Sequence, residues 1–296
     1  MKNFFLSSRI VSSSMLLFLV ANLSCGENPK MSKNSAEYQY SEAKKAISDA
    51  KFEKAISWTG EIINKFSKSE FADRARILRI ILLSGLSEGH ANMAEAYMSG
   101  FEKSIKNAGA LRSNAFDYYR KQKNEALGFY EACDFFLKNF SDQTPYVLDC
   151  EFPSKDFTSN RTLDDIRSGT LPDSEHRRTA EEVELCNGVI SSLTSFLGAA
   201  GDRAKARRLL EGGPKPLDHA EFMVMLGRTL LDDQRLFGRT ALNEIQNYRQ
   251  FYQKSSECAE LALKILKDKP NKETQSLAEQ LKTELEALEK KQAKTS

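Results

Sequence analysis

Ala36-Glu37-Tyr38-Gln39-Tyr40-Ser41-Glu42-Ala43-Lys44-Lys45-Ala46-Ile47-Ser48-Asp49-Ala50-Lys51-Phe52-Glu53-Lys54-Ala55 decides the fold class. Ala43, Ala46, Ala50 and Ala55 are small residues at helical spacing on either side of a turn, and Phe52 supplies an aromatic at that turn. Small side chains at a crossing let two antiparallel helices approach closely, so this stretch predicts a helix–turn–helix pair. The same period extends outward. Ala94, Tyr97, Phe101 and Ile105 lie three or four apart on one face. Phe116, Tyr119, Leu127 and Tyr130 form a second stripe, interrupted by Lys123 and continued by Leu137. A further block starts near Thr179, a capping hydroxyl followed by Glu181 and Glu182, with Val183, Cys186, Ile190, Leu193 and Leu197 as its face. Residues 238–267 carry the cleanest periodicity, and a final helix over 272–292 lines up Leu277, Leu281, Leu285 and Leu288, as a terminal cap on a helical stack would.

Strand signals are scarce. After residue 24 valine occurs only at 147, 183, 189 and 224, and alternation of β-branched residues is absent. Prolines at 145, 153, 172, 214, 216 and 270 punctuate helices. The expected fold is all-α: antiparallel helix pairs in an α-solenoid-like array, irregular toward the C-terminus. The expected organisation is a leader over 1–24, a tether over 25–36, a repeat-like block over 37–140, a long loop over 141–177 and a C-terminal block over 178–296.

The offsets of Ala43, Ala46, Ala50, Phe52 and Ala55 resemble those of tetratricopeptide repeats, helix–turn–helix units of about 34 residues. Lys65-Phe66-Ser67-Lys68-Ser69-Glu70-Phe71-Ala72-Asp73-Arg74-Ala75 is similar to the junction between repeats in BamD, the outer-membrane assembly lipoprotein, and related periplasmic proteins. Ser67 stands where that junction carries proline, and Thr59 where an aromatic is usual. The resemblance covers residues 36–105. It implies a concave groove lined by Tyr40, Lys44, Arg74 and Leu78 that accepts a peptide or helix.

The leader speaks to location. Lys2 and Arg9 precede an apolar run from Met15 to Ala21, too short to span a bilayer, and the stretch ends in Asn22-Leu23-Ser24-Cys25-Gly26. It resembles a bacterial lipoprotein signal, which implies cleavage before Cys25 and lipid attachment there. By analogy with lipoprotein sorting in enteric bacteria, the resemblance implies from Gly26 after the cysteine an outer-membrane location, with the body in the periplasm or at the surface.

Removing that leader takes two basic residues from 43 and none of the 41 acidic ones, so the remainder is balanced. A balanced chain exerts no long-range pull on nucleic acid, and the basic run Arg203, Lys205, Arg207 and Arg208 lacks interleaved aromatics. Mean hydropathy of −0.49 indicates a body whose membrane contact comes through the lipid alone. Four cysteines remain besides Cys25. Bridging Cys150 to Cys133 or to Cys186 would pin the long loop, whereas buried free thiols would act as small apolar side chains. His90, His176 and His219 lack ligand spacing, so no metal or cofactor is expected.

Gly85-Leu86-Ser87-Glu88-Gly89 matches the Gly-x-Ser-x-Gly elbow of serine hydrolases. The strands that fold requires are missing, and two glycines around a serine also suit a turn between helices. The expected function is therefore non-catalytic: a lipid-anchored scaffold or adaptor binding other envelope proteins or peptides. A ligand- or partner-binding accessory of a transporter is the alternative, and a hydrolase built on Ser87 the remote one.

Overall fold

The computed structural model describes residues 32, 34–155, 160–199, 201–239 and 241–293, so the leader, Cys25 and Gly26 lie outside the described residues. The quoted stretch forms the expected pair. Helix α1 (Ala36–Ser48) starts at Ser35, whose hydroxyl accepts the Tyr38 N–H at 3.1 Å. Ala50, at φ +57°, turns the chain into α2 (Phe52–Lys65), and Ala43, Ala46 and Ala55 are buried between neighbouring helices.

The next helix departs from expectation. Helix α3 (Glu70–Lys103) is one uninterrupted rod of 34 residues, with Gly85 and Gly89 in its middle. It stops before Ile105, which is fully exposed in the turn that leads to α4 (Ala108–Lys138). The buried stripe of α4 is Leu111, Ala115, Tyr118, Gln122, Ala126, Phe129 and Cys133. The expected stripe through Phe116, Tyr119, Leu127 and Tyr130 is its half-buried flank. Aromatics drew the expectation to that flank, but the buried face carries aromatics too, alternating Tyr118 and Phe129 with the small Ala115 and Ala126.

Residues 141–177 are shorter as a loop than expected. They hold β1 (Val147–Leu148) and α5 (Arg161–Arg167), and α6 (Ser174–Phe196) has already begun. Asp173 caps α6, accepting the N–H groups of Glu175 and His176. Thr179 is thus inside the helix, its hydroxyl bonded back to the Glu175 carbonyl at 3.1 Å. Helix α7 (Arg203–Glu211) and β2 (Lys215–Pro216) follow, and β2 pairs antiparallel with β1.

The chain then forms α8 (His219–Gln234), a short 3-10 turn over Arg235–Phe237, α9 (Ile245–Asp268) and α10 (Lys272–Ala293). Gly227 on α8 is close to both neighbours: a Cβ there would lie 2.6 Å from Leu281 Cδ2 and 3.2 Å from Cys258 Cβ. Leu281 and Leu285 bury α10 against Tyr252, Ala259 and Leu231. Among the described residues the architecture is all-α, packed as helix pairs, and no helix is long and apolar enough to cross a membrane.

Candidate functional site

The middle of α3 organises everything around it. A helix that crosses another with glycine on both faces can bring the two backbones into contact. Gly85 and Gly89 on α3 meet Gly188 on α6, and a Cβ on Gly188 would stand 2.1 Å from the Gly85 carbonyl oxygen. The Gly-x-Ser-x-Gly match is therefore a helix crossing, neither an elbow nor a turn. Ser87 is fully buried, and its hydroxyl donates to Asp233 Oδ1 on α8 at 2.6 Å. A nucleophile would need a base and an open face. His176 instead pairs with Asp173 at the exposed start of α6, and His219 sits among Phe140 and Tyr146.

Three of the four groove residues do come together, but around the chain itself. The Tyr40 hydroxyl donates to the Asp149 carbonyl at 2.6 Å, Lys44 pairs with the Asp149 carboxylate at 3.0 Å, and Arg74 approaches it at 3.5 Å. Leu78 is wholly buried. The strap over residues 146–150 thus occupies the place expected for a partner, held at its other end by the β1–β2 pair. Cys150 lies in that strap, and Cys133 faces α9, where Cys258 is its neighbour. The candidate Cys133–Cys150 disulfide is not formed: both side chains lie in the same buried core as separate thiols, Cys133 on α4 beside Cys258 and Cys150 in the strap. Cys133, Cys150 and Cys258 are buried thiols outside any disulfide, Cys186 is buried with its thiol donating to the Lys155 carbonyl at 3.2 Å, and burial pushes the Cys133 and Cys150 thiols up.

The open surface lies elsewhere. A cleft of about 760 Å³ is bounded by the start of α2, the middle of α3, α4 and α6. That volume is within the range of small-molecule sites. Phe52, Leu86 and Leu185 give it an apolar part. The first turn of α2 opens onto it, and Lys51 at the N-cap position makes no side-chain capping bond. The N–H groups of that turn therefore present partial positive charge to the cleft.

His90 and Glu181 line the same cleft. His90 is only 6% exposed; its Nε2 faces Glu181 Oε1 at 3.6 Å, while Nδ1 has no hydrogen-bond partner. Glu181 also takes the Tyr118 hydroxyl at 3.2 Å and the Lys121 ammonium. Burial works against its charge, but His90 and Lys121 outweigh burial and hold Glu181 down at about 2. Tyr118 stacks on Tyr97 with ring centres 5.6 Å apart, which fixes its hydroxyl toward the carboxylate.

Glu181→Gln tests that network. A carboxylate whose folded pKa lies below its unfolded value stabilises the fold above pH ~4.5, and that stability is lost as pH falls toward ~2. The substitution is expected to cost about 1–3 kcal/mol at pH 7, after allowance for partial exposure, and almost nothing near pH 2. Denaturant unfolding at the two pH values measures the difference.

None of these contacts is adjacent in sequence. His90 and Glu181 were legible only as a lone histidine and a charged helix start. Among the described residues, no group of three or more His, Cys, Asp or Glu is arranged to hold a metal ion. No protein-family model, no curated protein and no solved structure matches the chain.

Proposed function

We propose that the chain is a non-catalytic binding protein of the cell envelope, held to a membrane by lipid on Cys25, and that it takes a short zwitterionic peptide in the cleft between α2, α3, α4 and α6. One observation carries the reading: a buried histidine nitrogen without a partner lies beside an ionised carboxylate, in a cleft that also receives an uncapped helix start. An unpartnered buried polar atom costs free energy, and a bound ligand can supply its partner.

The charges favour a ligand with both signs. Lys51 pairs with Asp49, and Lys121 with Glu181. Lys54 and Lys155 are left for an anionic group, together with the N–H groups of α2, and Glu53 and Glu125 for a cationic one, Glu125 within the field of His90 and Arg79. A peptide terminus carries both groups, and Phe52, Leu86 and Leu185 suit the chain between them. Lipid anchoring would then concentrate a weak binder at one membrane.

Titration calorimetry on the full chain in detergent, with trialanine as probe, tests this. Trialanine should bind at least about tenfold more tightly than N-acetyl-trialanine or trialanine amide, a difference near 1.4 kcal/mol. Lys54→Glu/Lys155→Glu should weaken trialanine by a similar factor. Equal affinity for the three peptides, or no heat with any of them, overturns the reading.

A further inference from the structure

The opposite flank of α3 carries a second cleft, of about 580 Å³, walled by α3, α4 and the end of α8. Its chemistry differs from the first. Glu88, Glu95 and Glu102 line it from α3 at intervals of seven residues, and α8 adds Asp232 and Asp233. Seven residues are close to two helical turns, so the three glutamates share one face over about 21 Å. Arg235 is the one basic side chain among its described lining residues, and it is engaged with Asp232 at 3.5 Å.

Asp233 forms part of the wall and is only 5% exposed. Its Oδ1 takes the Ser87 hydroxyl, while Oδ2, with the Gln122 amide beside it, completes no hydrogen bond of good geometry. A buried carboxylate oxygen without a well-placed donor is the feature an incoming ammonium would complete, since ammonium offers three donors and no acceptor. We propose that this cleft binds a linear polyamine, with one ammonium group seated on Asp233 and the others spaced along Glu88, Glu95 and Glu102.

Shape and lining narrow the choice. A divalent ion needs several oxygens around one point, and the described residues hold no such group. An extended alkyl chain fits, and Met98, Tyr119 and Leu236 offer its methylenes apolar contact. Tyr119 also presents a ring to ammonium groups. The site is separate from the peptide cleft and does not depend on it.

The test is titration calorimetry of the full chain with spermine at low ionic strength and pH 8, with butylamine as the single-charge control. Spermine should bind at least tenfold more tightly than butylamine, and more weakly as salt is added. Asp233→Asn should weaken spermine at least fivefold. So should Glu95→Gln/Glu102→Gln, whose side chains are exposed, so that unchanged thermal unfolding is expected alongside the loss. Spermine binding that is indifferent to both variants overturns the proposal, as does a trilysine peptide that binds more tightly than spermine.

Discussion

Gly188→Ala is expected to lower the melting temperature by about 6–12 °C, from a loss of about 3 kcal/mol. The added methyl would stand 2.1 Å from the Gly85 carbonyl oxygen and 2.8 Å from the Gly89 nitrogen, both backbone atoms on the facing helix. No rotamer relieves that contact; α3 and α6 must separate. Helix propensity works the other way, since alanine exceeds glycine by about 1 kcal/mol inside a helix. A clash with backbone should exceed that gain. Gly109→Ala provides the control, because a Cβ there meets nothing within 4 Å and should be neutral or slightly stabilising. Thermal unfolding of both variants by circular dichroism decides the matter. Equal melting temperatures would mean that the two helices do not cross backbone to backbone.

Asp233→Asn is expected to raise stability at pH 8 while weakening amine binding. Burial is the main reason that Asp233 is pushed up to about 7; the Ser87 hydroxyl opposes this, Asp232 and Glu88 add to it, and the Gln122 amide opposes it again. The Cys133 thiol also lies within range of its charge. The unfolded chain loses this proton near pH 4 and the folded chain near pH 7, so ionisation favours unfolding between them. Stability from this group is therefore fullest below pH ~4 and falls as pH rises to ~7. The fall is bounded by roughly 4 kcal/mol and is flat above that window. Asparagine keeps an acceptor for Ser87 and removes the charge, so the variant should lose the slope. His176 titrates at the surface beside Asp173, which makes the wild-type-minus-variant difference the quantity to measure. Chemical denaturation at pH 5 and pH 8 supplies it. A variant with the same pH slope as the wild type would mean that Asp233 is already ionised at pH 5.

Gain of stability with loss of binding is the pattern expected where a buried charge serves a ligand. The same contrast separates this carboxylate from Glu181, whose charge is already compensated by His90 and Lys121. Glu181 titrates below pH ~4.5 and Asp233 above pH ~4, so the two effects occupy different parts of the pH scale.

The helical class was legible because its signals are local. Valine is scarce, prolines fall between helices, and Ala43, Ala46 and Ala55 mark the α1–α2 crossing. Leu281 and Leu285 likewise marked the buried side of α10. What escaped was distant in sequence. Gly85 and Gly89 read as helix breakers by local rules, and only Gly188, about a hundred residues later, makes them a packing surface. Tyr40, Lys44 and Arg74 were placed on a common face, but Asp149, which fills it, lies in a segment without periodicity. His90 and Glu181, or Ser87 and Asp233, give no spacing motif at all. One sign was available: Gln122 interrupts an otherwise apolar stripe of α4, and it is buried beside Asp233. A polar residue inside such a stripe points to a polar group on the facing helix.

Hydrogen exchange of the full chain with and without trialanine separates the open cleft from the strapped groove most directly. Added protection is expected in residues 51–55 and 121–125, where the α2 start and α4 border the cleft, with no change in residues 40–44, 74–78 and 147–150. Protection confined to the groove and its strap, or spread evenly over both, would contradict peptide capture in the cleft.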